Sequence, residues 1–208
     1  MEFADDFRTL NLADWDVYDS EGHNGQGDRS PSQVGIVNSV LSITGLPDGT
    51  TGGMKLRGHS QRYGQWDICL RTPRGPSCYH PVVMLWGGAR ESDVDNPLGE
   101  IDIVEVWQRP DRDRNSFSVH YGEGSEFVGS DVVVDMTDWH WYHLVWDPAY
   151  LYTWIDDNPA YFSTTDVGVL PPGEMDLTIQ LDWFPEEGPS GPASMQVAGV
   201  RQYARPLS

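Results

Sequence analysis

The sequence has little of what builds membrane-spanning or nucleic-acid-binding proteins. None of its 208 residues belongs to an apolar run of 18 or more, so no segment is predicted to cross a membrane as a helix. Lys and Arg number only 13 against 32 Asp and Glu, which gives a net charge of −19. Such a chain repels phosphate backbones, so nucleic acid is not an expected partner. The charge favours a neutral or cationic ligand, or serves solubility alone.

Cysteine is also scarce, with Cys69 and Cys78 as the only two. They flank the Pro/Gly turn "LRTPRGPS", and a hairpin there would allow a disulfide in an oxidising compartment. Two buried thiols are the alternative. Neither cysteine has a His or another Cys at zinc spacing, so no metal site is predicted and no cofactor is expected.

The opening "MEFADDF" lacks the basic and apolar regions of a secretory signal. We nevertheless expect an extracellular or cell-surface location. It would be reached after removal of a signal or by another route, and a virion-associated location stays open.

Helix periodicity is missing too, which turns attention to what is abundant. The chain has 22 Gly, 15 Pro, 9 Trp, 9 Tyr and 6 Phe, and reads as short strands separated by turns. We therefore predict an all-β sandwich of two antiparallel sheets, formed by residues 1–208 as one domain. Apolar and polar residues alternate most clearly over 174–184, and also over 39–45, 63–72, 80–88 and 116–122. Residues 19–33 and 87–99 are predicted to be exposed loops.

One predicted strand, "GEIDIVEVW" over 99–107, carries three acids among Ile and Val. Regular alternation would place Glu100 and Asp102 on one face and Glu105 on the other, inside the core. A β-bulge between Asp102 and Glu105 shifts the alternation by one residue. It would turn Glu105 and Trp107 toward the same face as the first two acids, and would avoid burying an unpaired carboxylate.

Three carboxylates on one short strand repel one another, so at least one pKa should be raised. A protonated carboxylic acid beside an ionised one is the apparatus of glycoside hydrolysis. A calcium site and a solvated acidic face are the alternatives, although calcium usually selects loops rather than Ile/Val strands.

"GEIDIVE" resembles the active-site signature of glycoside hydrolase family 16, a Glu-x-Asp-x-x-Glu strand with a bulge. The resemblance extends over nearly the whole chain and includes "FADDF", "YGQWDICLRTPRG", "YHPVVMLW", "FSVHYG", "DWHWYHLVWDPAYLYTWIDDNP" and "VAGVRQYARP". It implies a jelly-roll sandwich with a concave cleft, and retaining endo-hydrolysis or transglycosylation of a β-linked polysaccharide, such as a β-1,3-glucan, a mixed-linkage glucan or a galactan. A monomer is expected.

The resemblance also implies roles for single residues. Glu100 would be the nucleophile, Glu105 the acid/base, and Asp102 the group that sets the charge of the pair. His120 matches the cleft histidine of the family, and Gln180 a polar residue of its cleft.

Aromatic side chains are expected to stack on sugars. Trp107 is predicted to do so from its strand face, while Trp86 and Trp183 are weaker candidates. Trp86 lies two residues after Met84, where the family often has its stacking Trp.

Ala198 stands where some members of the family have a calcium-binding Asp. A structural calcium ion is therefore not expected. The remaining alternative function is a carbohydrate-binding or adhesin module without catalysis, in a surface or virion assembly. The intact set of three acids argues against it.

Overall fold

The computed structural model describes residues 1–87, 99–122 and 126–204. Their regular secondary structure consists of strands apart from four 3₁₀ turns, in keeping with the predicted all-β class. In chain order the strands are β1 (Phe3–Asp5), β2 (Trp15–Val17), β3 (Ser20–Glu21), β4 (Asp28–Arg29), β5 (Val34–Ile36), β6 (Leu41–Gly45), β7 (Thr50–Thr51), β8 (Gly53–Leu56), β9 (Gly64–Arg71), β10 (Tyr79–Trp86), β11 (Glu100–Glu105), β12 (Arg114–Tyr121), β13 (Glu126–Val133), β14 (His140–Asp147), β15 (Tyr150–Ile155), β16 (Phe162–Thr164), β17 (Asp176–Trp183) and β18 (Ala193–Tyr203). Single 3₁₀ turns span His23–Gly25, Pro31–Gln33, Val167–Val169 and Pro185–Glu187.

Two large antiparallel sheets form the jelly-roll sandwich. The cleft sheet has the strand order β13-β12-β11-β10-β17-β8-β2. The outer sheet has the order β16-β15-β14-β9-β18-β6-β5, with β1 paired to β18. Seven of the thirteen neighbouring pairs in the two sheets join strands that are not consecutive in the chain, so the chain crosses repeatedly between the two layers.

The core lies between the sheets and follows the predicted alternation. On β17 the side chains of Leu177, Ile179 and Leu181 are buried in it. On β12 the core-facing positions are Phe117 and Val119, both buried. The opposite faces of these strands carry Thr, Gln, Asp, Ser and His, so the cleft sheet presents a polar surface on its far side.

Two local predictions need correction. Residues 19–33 are not simply an exposed loop, because β3 and β4 lie there and join β7 in a small three-stranded sheet. Residues 88–98, most of the second predicted loop, lie outside the described residues.

The cysteines do not face each other across a hairpin. Cys69 lies on β9 in the outer sheet and Cys78 just before β10 in the cleft sheet. Both thiols are free. The turn between them links the two layers. The structure therefore has two free thiols in place of a disulfide, with Cys78 buried and Cys69 partly exposed. In the described part of the chain, no helix is long and apolar enough to span a membrane.

Candidate active site

The predicted bulge is present in β11, and it sets the geometry of the site. Against β12, Asp102 pairs with Ser118 while Glu105 pairs with Ser116, so two residues of β11 lie between these pairs where β12 has one. The register with β10 shifts at the same place, between Val83 and Met84. One extra residue in β11 therefore reverses its side-chain alternation between Asp102 and Glu105.

The bulge separates polar from apolar side chains as the sequence predicts. Ile101, Ile103 and Val106 are fully buried in the core. All three acids line the cleft, an open groove across the far side of the cleft sheet. Its lining residues are His23, Asn24, His80, Val82, Met84, Trp86, Glu100, Asp102, Glu105, Trp107, His120, Gln180, Asp182, Phe184 and Glu187.

A glycine is required where β11 begins. Gly99 has a φ of +87°, in the left-handed region that disfavours other residues. A Cβ placed there would come within 2.8 Å of Pro171. The signature glycine therefore lets the chain enter β11 so that Glu100 is the first strand residue to face the cleft.

Asp102 is the most buried of the three acids, with 3% of its surface exposed. The hydroxyl of Ser118 donates to its Oδ2 at 2.7 Å, and His120 Nε2 lies 3.2 Å from the same oxygen. A side-chain hydrogen bond also joins Asp102 to Glu100. The hydrogen bond between His120 and Asp102 raises the pKa of His120. Asp102 thus connects the glutamate to the histidine.

The two glutamates have perturbed acidities. Burial, followed by the Asp102 carboxylate, raises the pKa of Glu100 well above its usual range. The same two causes raise the pKa of Glu105 to about 8, against a lowering effect of a hydrogen bond with the Trp107 side chain. A hydrogen bond between the carboxyl groups of Glu100 and Asp102 requires a proton on one of them, because two carboxylates are both acceptors.

Trp107 follows the bulge and is 55% exposed. Its ring is nearly parallel to that of His80, with 6.3 Å between centroids, and His80 in turn packs on Phe184 at 4.4 Å. His80 Nε2 lies 2.6 Å from a carboxylate oxygen of Glu187. Trp107 therefore lines the cleft together with Glu105 and His80 and leaves much of its indole exposed.

Beneath the cleft floor lies a buried ion pair between Arg29 and Asp182. Gln180 donates from Nε2 to the second carboxylate oxygen of Asp182 at 2.8 Å. The charge of Asp182 contributes to the raised pKa values of both Glu100 and Glu105. Asp182 therefore adds to the negative electrostatic potential at the cleft floor.

On the other side of β11 a second groove of about 460 Å³ continues the cleft toward β13. Phe127 pairs with His120 across the two strands and is 67% exposed. Gly129 lies two residues further along β13, next to Ser118. An exposed apolar ring beside a flat, side-chain-free position forms a shelf next to Glu105.

The remaining predicted residues divide between cleft and core. Trp86 pairs with Glu100 at the end of β10 and lines the cleft, as do His120 and Gln180. Trp183 does not line it. Its ring covers Gly49, where a Cβ would meet the indole at 2.4 Å, and its Nε1 donates to Ser190.

Several residues that line the cleft or the groove beside it were not singled out from the sequence, among them His80, Phe127, Asp182 and Glu187. Asp182 falls on the polar face of 174–184, and His80 shares the face of 80–88 that carries Trp86, so their strand face was an available signal. Glu187 closes a 3₁₀ turn far along the chain from His80, and no local pattern joins the two.

The described residues contain no group of three or more His, Cys, Asp or Glu side chains arranged to hold a metal ion. Ala198 lies on the outer sheet in a groove with Asp5, Asp6 and Trp141. Its methyl group provides no ligand atom at the position considered for calcium.

The fold of the chain is similar to that of glucanases of solved structure. No family model matches the chain, and no curated protein matches it. Solved structures do match over nearly the full length. The catalytic domain of an endo-1,3-β-glucanase (laminarinase) from Thermotoga petrophila superposes with a TM-score of 0.80 at 18% identity, covering 99% of this chain and 97% of that one.

Two further structures are similar. A β-1,3-1,4-glucanase (lichenase) from a mouse hindgut metagenome gives a TM-score of 0.80 at 16% identity, covering 99% of both chains. A Bacteroides ovatus GH16 protein in complex with a G4G4G3G product gives 0.78 at 18% identity, covering 97% of this chain and all of that one. The fold expected from the resemblance to glycoside hydrolase family 16 is confirmed.

Proposed function

We propose that this protein is an endo-acting β-glucan hydrolase that works by a retaining double displacement. The observation that supports it most strongly is the bulge in β11, which brings Glu100, Asp102 and Glu105 to one wall of an open groove. An endo-acting enzyme binds the interior of a polymer, and the cleft together with the groove toward β13 offers an extended surface for it. The laminarinases and lichenases of the same fold support a β-glucan as substrate.

Glu105 suits the role of acid/base. With a pKa of about 8 it is protonated at neutral pH and can donate to the glycosidic oxygen as the bond to the anomeric carbon breaks. In the same step the carboxylate of Glu100 attacks that carbon and forms a glycosyl ester. Glu105, now ionised, then takes a proton from water, whose oxygen displaces Glu100 and restores both groups.

Glu100 must be ionised to attack, and its raised pKa means that it does not reach this state unaided. Asp102 provides the means, because the proton shared by the two can move onto Asp102 and leave the charge on Glu100. Ser118 and His120 hold Asp102 in place for this exchange. Asp102 thereby sets the charge of the nucleophile without contacting the sugar.

The aromatic residues would position the glucan. Trp107 and Trp86 stand on either side of the acids along the cleft and offer rings to sugar faces, and Phe127 extends the surface toward β13. Gln180 and His120 supply polar contacts at the floor and wall. A neutral polymer also suits this acidic cleft, which would repel an anionic glycan.

The experiment measures reducing sugar released from laminarin, mixed-linkage β-glucan, xyloglucan and agarose by the wild type and by Glu100→Gln. Glu174→Gln changes an exposed glutamate and is the matched control. We expect the wild type and the control to cleave a β-glucan. The kcat of Glu100→Gln should fall by a factor on the order of 1,000 or more, because the catalytic nucleophile is lost.

Azide distinguishes the two glutamates. In Glu100→Ala it can occupy the vacated space and attack the anomeric carbon from the nucleophile's side, giving an α-glycosyl azide. In Glu105→Ala it can attack the glycosyl ester from the opposite side, giving the β-azide. The reverse products would exchange the proposed roles. Binding of several glucans without cleavage of any would favour a carbohydrate-binding module.

A further inference from the structure

A buried asparagine on β12 contacts the bulge from behind. Asn115 is fully buried, on the strand face that also carries Phe117 and Val119. An amide on an apolar strand face is costly unless its polar atoms are bonded, and here they are. The side chain lies away from the cleft and cannot contact a substrate there.

The carboxamide bonds both peptide groups that flank Val104. Its Oδ1 accepts from the backbone N–H of Glu105 at 3.3 Å, and its Nδ2 donates to the backbone carbonyl of Ile103 at 3.2 Å. A partner residue in a regular antiparallel pair presents this same combination of one donor and one acceptor. Between Asp102 and Glu105 β12 has one residue fewer than β11, so the two strands cannot pair residue for residue at the bulge.

We infer that Asn115 is a positioning residue for the acid/base, whose carboxamide bonds the peptide groups on both sides of Val104 and so fixes the bulge that turns Glu105 into the cleft. The inference rests on the proposed function for its catalytic meaning. The claim that Asn115 holds the bulge in place does not depend on the proposed function.

The second hydrogen of the amide points to the other sheet. Nδ2 also donates to the phenol oxygen of Tyr161 at 3.0 Å, and Thr153 on β15 lies 3.5 Å from that oxygen. Asn115 is thereby held between the bulge and the outer sheet. This third contact provides a matched control, because Tyr161→Phe removes it and keeps both bonds to β11.

Loss of the carboxamide has a defined consequence. Without it, the Ile103 carbonyl and the Glu105 N–H lose these bonds inside the core, which favours any register that restores the lost hydrogen bonding. A one-residue slip to regular pairing turns Glu105 toward the core. Substrate binding by the rest of the cleft would be retained, so the damage should fall on kcat rather than KM.

The test compares Asn115→Leu, which has similar size and no polar atoms, with Tyr161→Phe. We expect kcat on β-glucan to fall at least 100-fold in Asn115→Leu, with KM within threefold, and the basic limb of the pH profile to move. Tyr161→Phe should keep kcat within threefold and an unchanged profile, whatever its thermal stability. Wild-type kcat and pH profile in folded Asn115→Leu would overturn the inference.

Amide hydrogen exchange separates this inference from the proposed function. The Glu105 amide should exchange at least 100-fold faster in Asn115→Leu than in the wild type, and no more than threefold faster in Tyr161→Phe. Unchanged protection in Asn115→Leu would contradict the role of the carboxamide even if no glucan were cleaved. If Asn115→Leu does not fold, the smaller Asn115→Ser is measured: at least tenfold faster exchange is expected, and wild-type exchange overturns the inference.

Discussion

Replacing Glu105 by Gln should stabilise the protein, and increasingly so as the pH rises. The folded protein holds this carboxyl at a pKa of about 8, against an ordinary value of 4.5. The folded state therefore binds the proton more tightly than the unfolded chain. The stability that this provides is complete below about pH 4.5 and declines until the pH passes 8. Glutamine mimics the protonated form at every pH and avoids the decline.

The magnitude follows from the shift. Each pH unit in this window costs the wild type about 1.4 kcal/mol, so between pH 5 and pH 7 it should lose up to about 2.7 kcal/mol relative to Glu105→Gln. Relaxation and water entry reduce this, and about 1 kcal/mol is the smallest gain consistent with a buried carboxyl beside Asp102.

The assay is chemical denaturation at pH 5, 6, 7 and 8. The free energy of unfolding is compared among the wild type, Glu105→Gln and the exposed control Glu174→Gln. The difference between wild type and Glu105→Gln should grow with pH, and Glu174→Gln should follow the wild type. A difference that stays constant or shrinks as the pH rises would refute the reasoning that burial and neighbouring acids hold Glu105 protonated.

Three other substitutions give distinct readouts. Trp107→Phe removes the hydrogen bond that lowers the pKa of Glu105, so the basic limb of kcat/KM should move to higher pH; a shift to lower pH would contradict this. Phe127→Ala should raise KM for long oligosaccharides about tenfold with kcat unchanged, because one stacking contact with a sugar is lost. Unchanged KM in steady-state kinetics would exclude the shelf on β13 as a sugar-binding surface. Asp182→Asn leaves Arg29 buried without its carboxylate and should cost about 3 kcal/mol or more in chemical denaturation; a cost below about 1 kcal/mol would show that the ion pair is replaceable.

The bulge could be predicted because its signature is local. Regular alternation along β11 would bury Glu105 with Ile101 and Ile103, and a one-residue shift is what keeps all three acids out of the core. The faces of β12 and β17 were equally predictable, because one period-2 pattern decides them. Asn115 is recognisable in the sequence as an amide on the apolar face of β12. Its role depends on the bulge of β11 that lies opposite it, which the sequence of β12 does not reveal.

The rest depends on contacts between distant segments. The pairing of His80 with Glu187 joins two positions far apart in the chain, and sequence patterns report only neighbours. The location of Trp183 likewise depends on a residue far away in the chain. Its position in the chain is compatible with either core or cleft. In the structure its indole packs on Gly49, which lies just before β7. The turn between Cys69 and Cys78 resembles a hairpin, although β9 and β10 belong to different sheets.

The central claim is that Glu100 and Glu105 together cleave a β-glucan through a glycosyl ester. It is tested most directly by proton NMR of the anomeric signals during the first minutes of hydrolysis of laminarin or mixed-linkage β-glucan. A nucleophile on the strand predicts that the β-anomer appears first and the α-anomer only later, by mutarotation. Initial appearance of the α-anomer, or no new reducing end on either glucan, would contradict the claim.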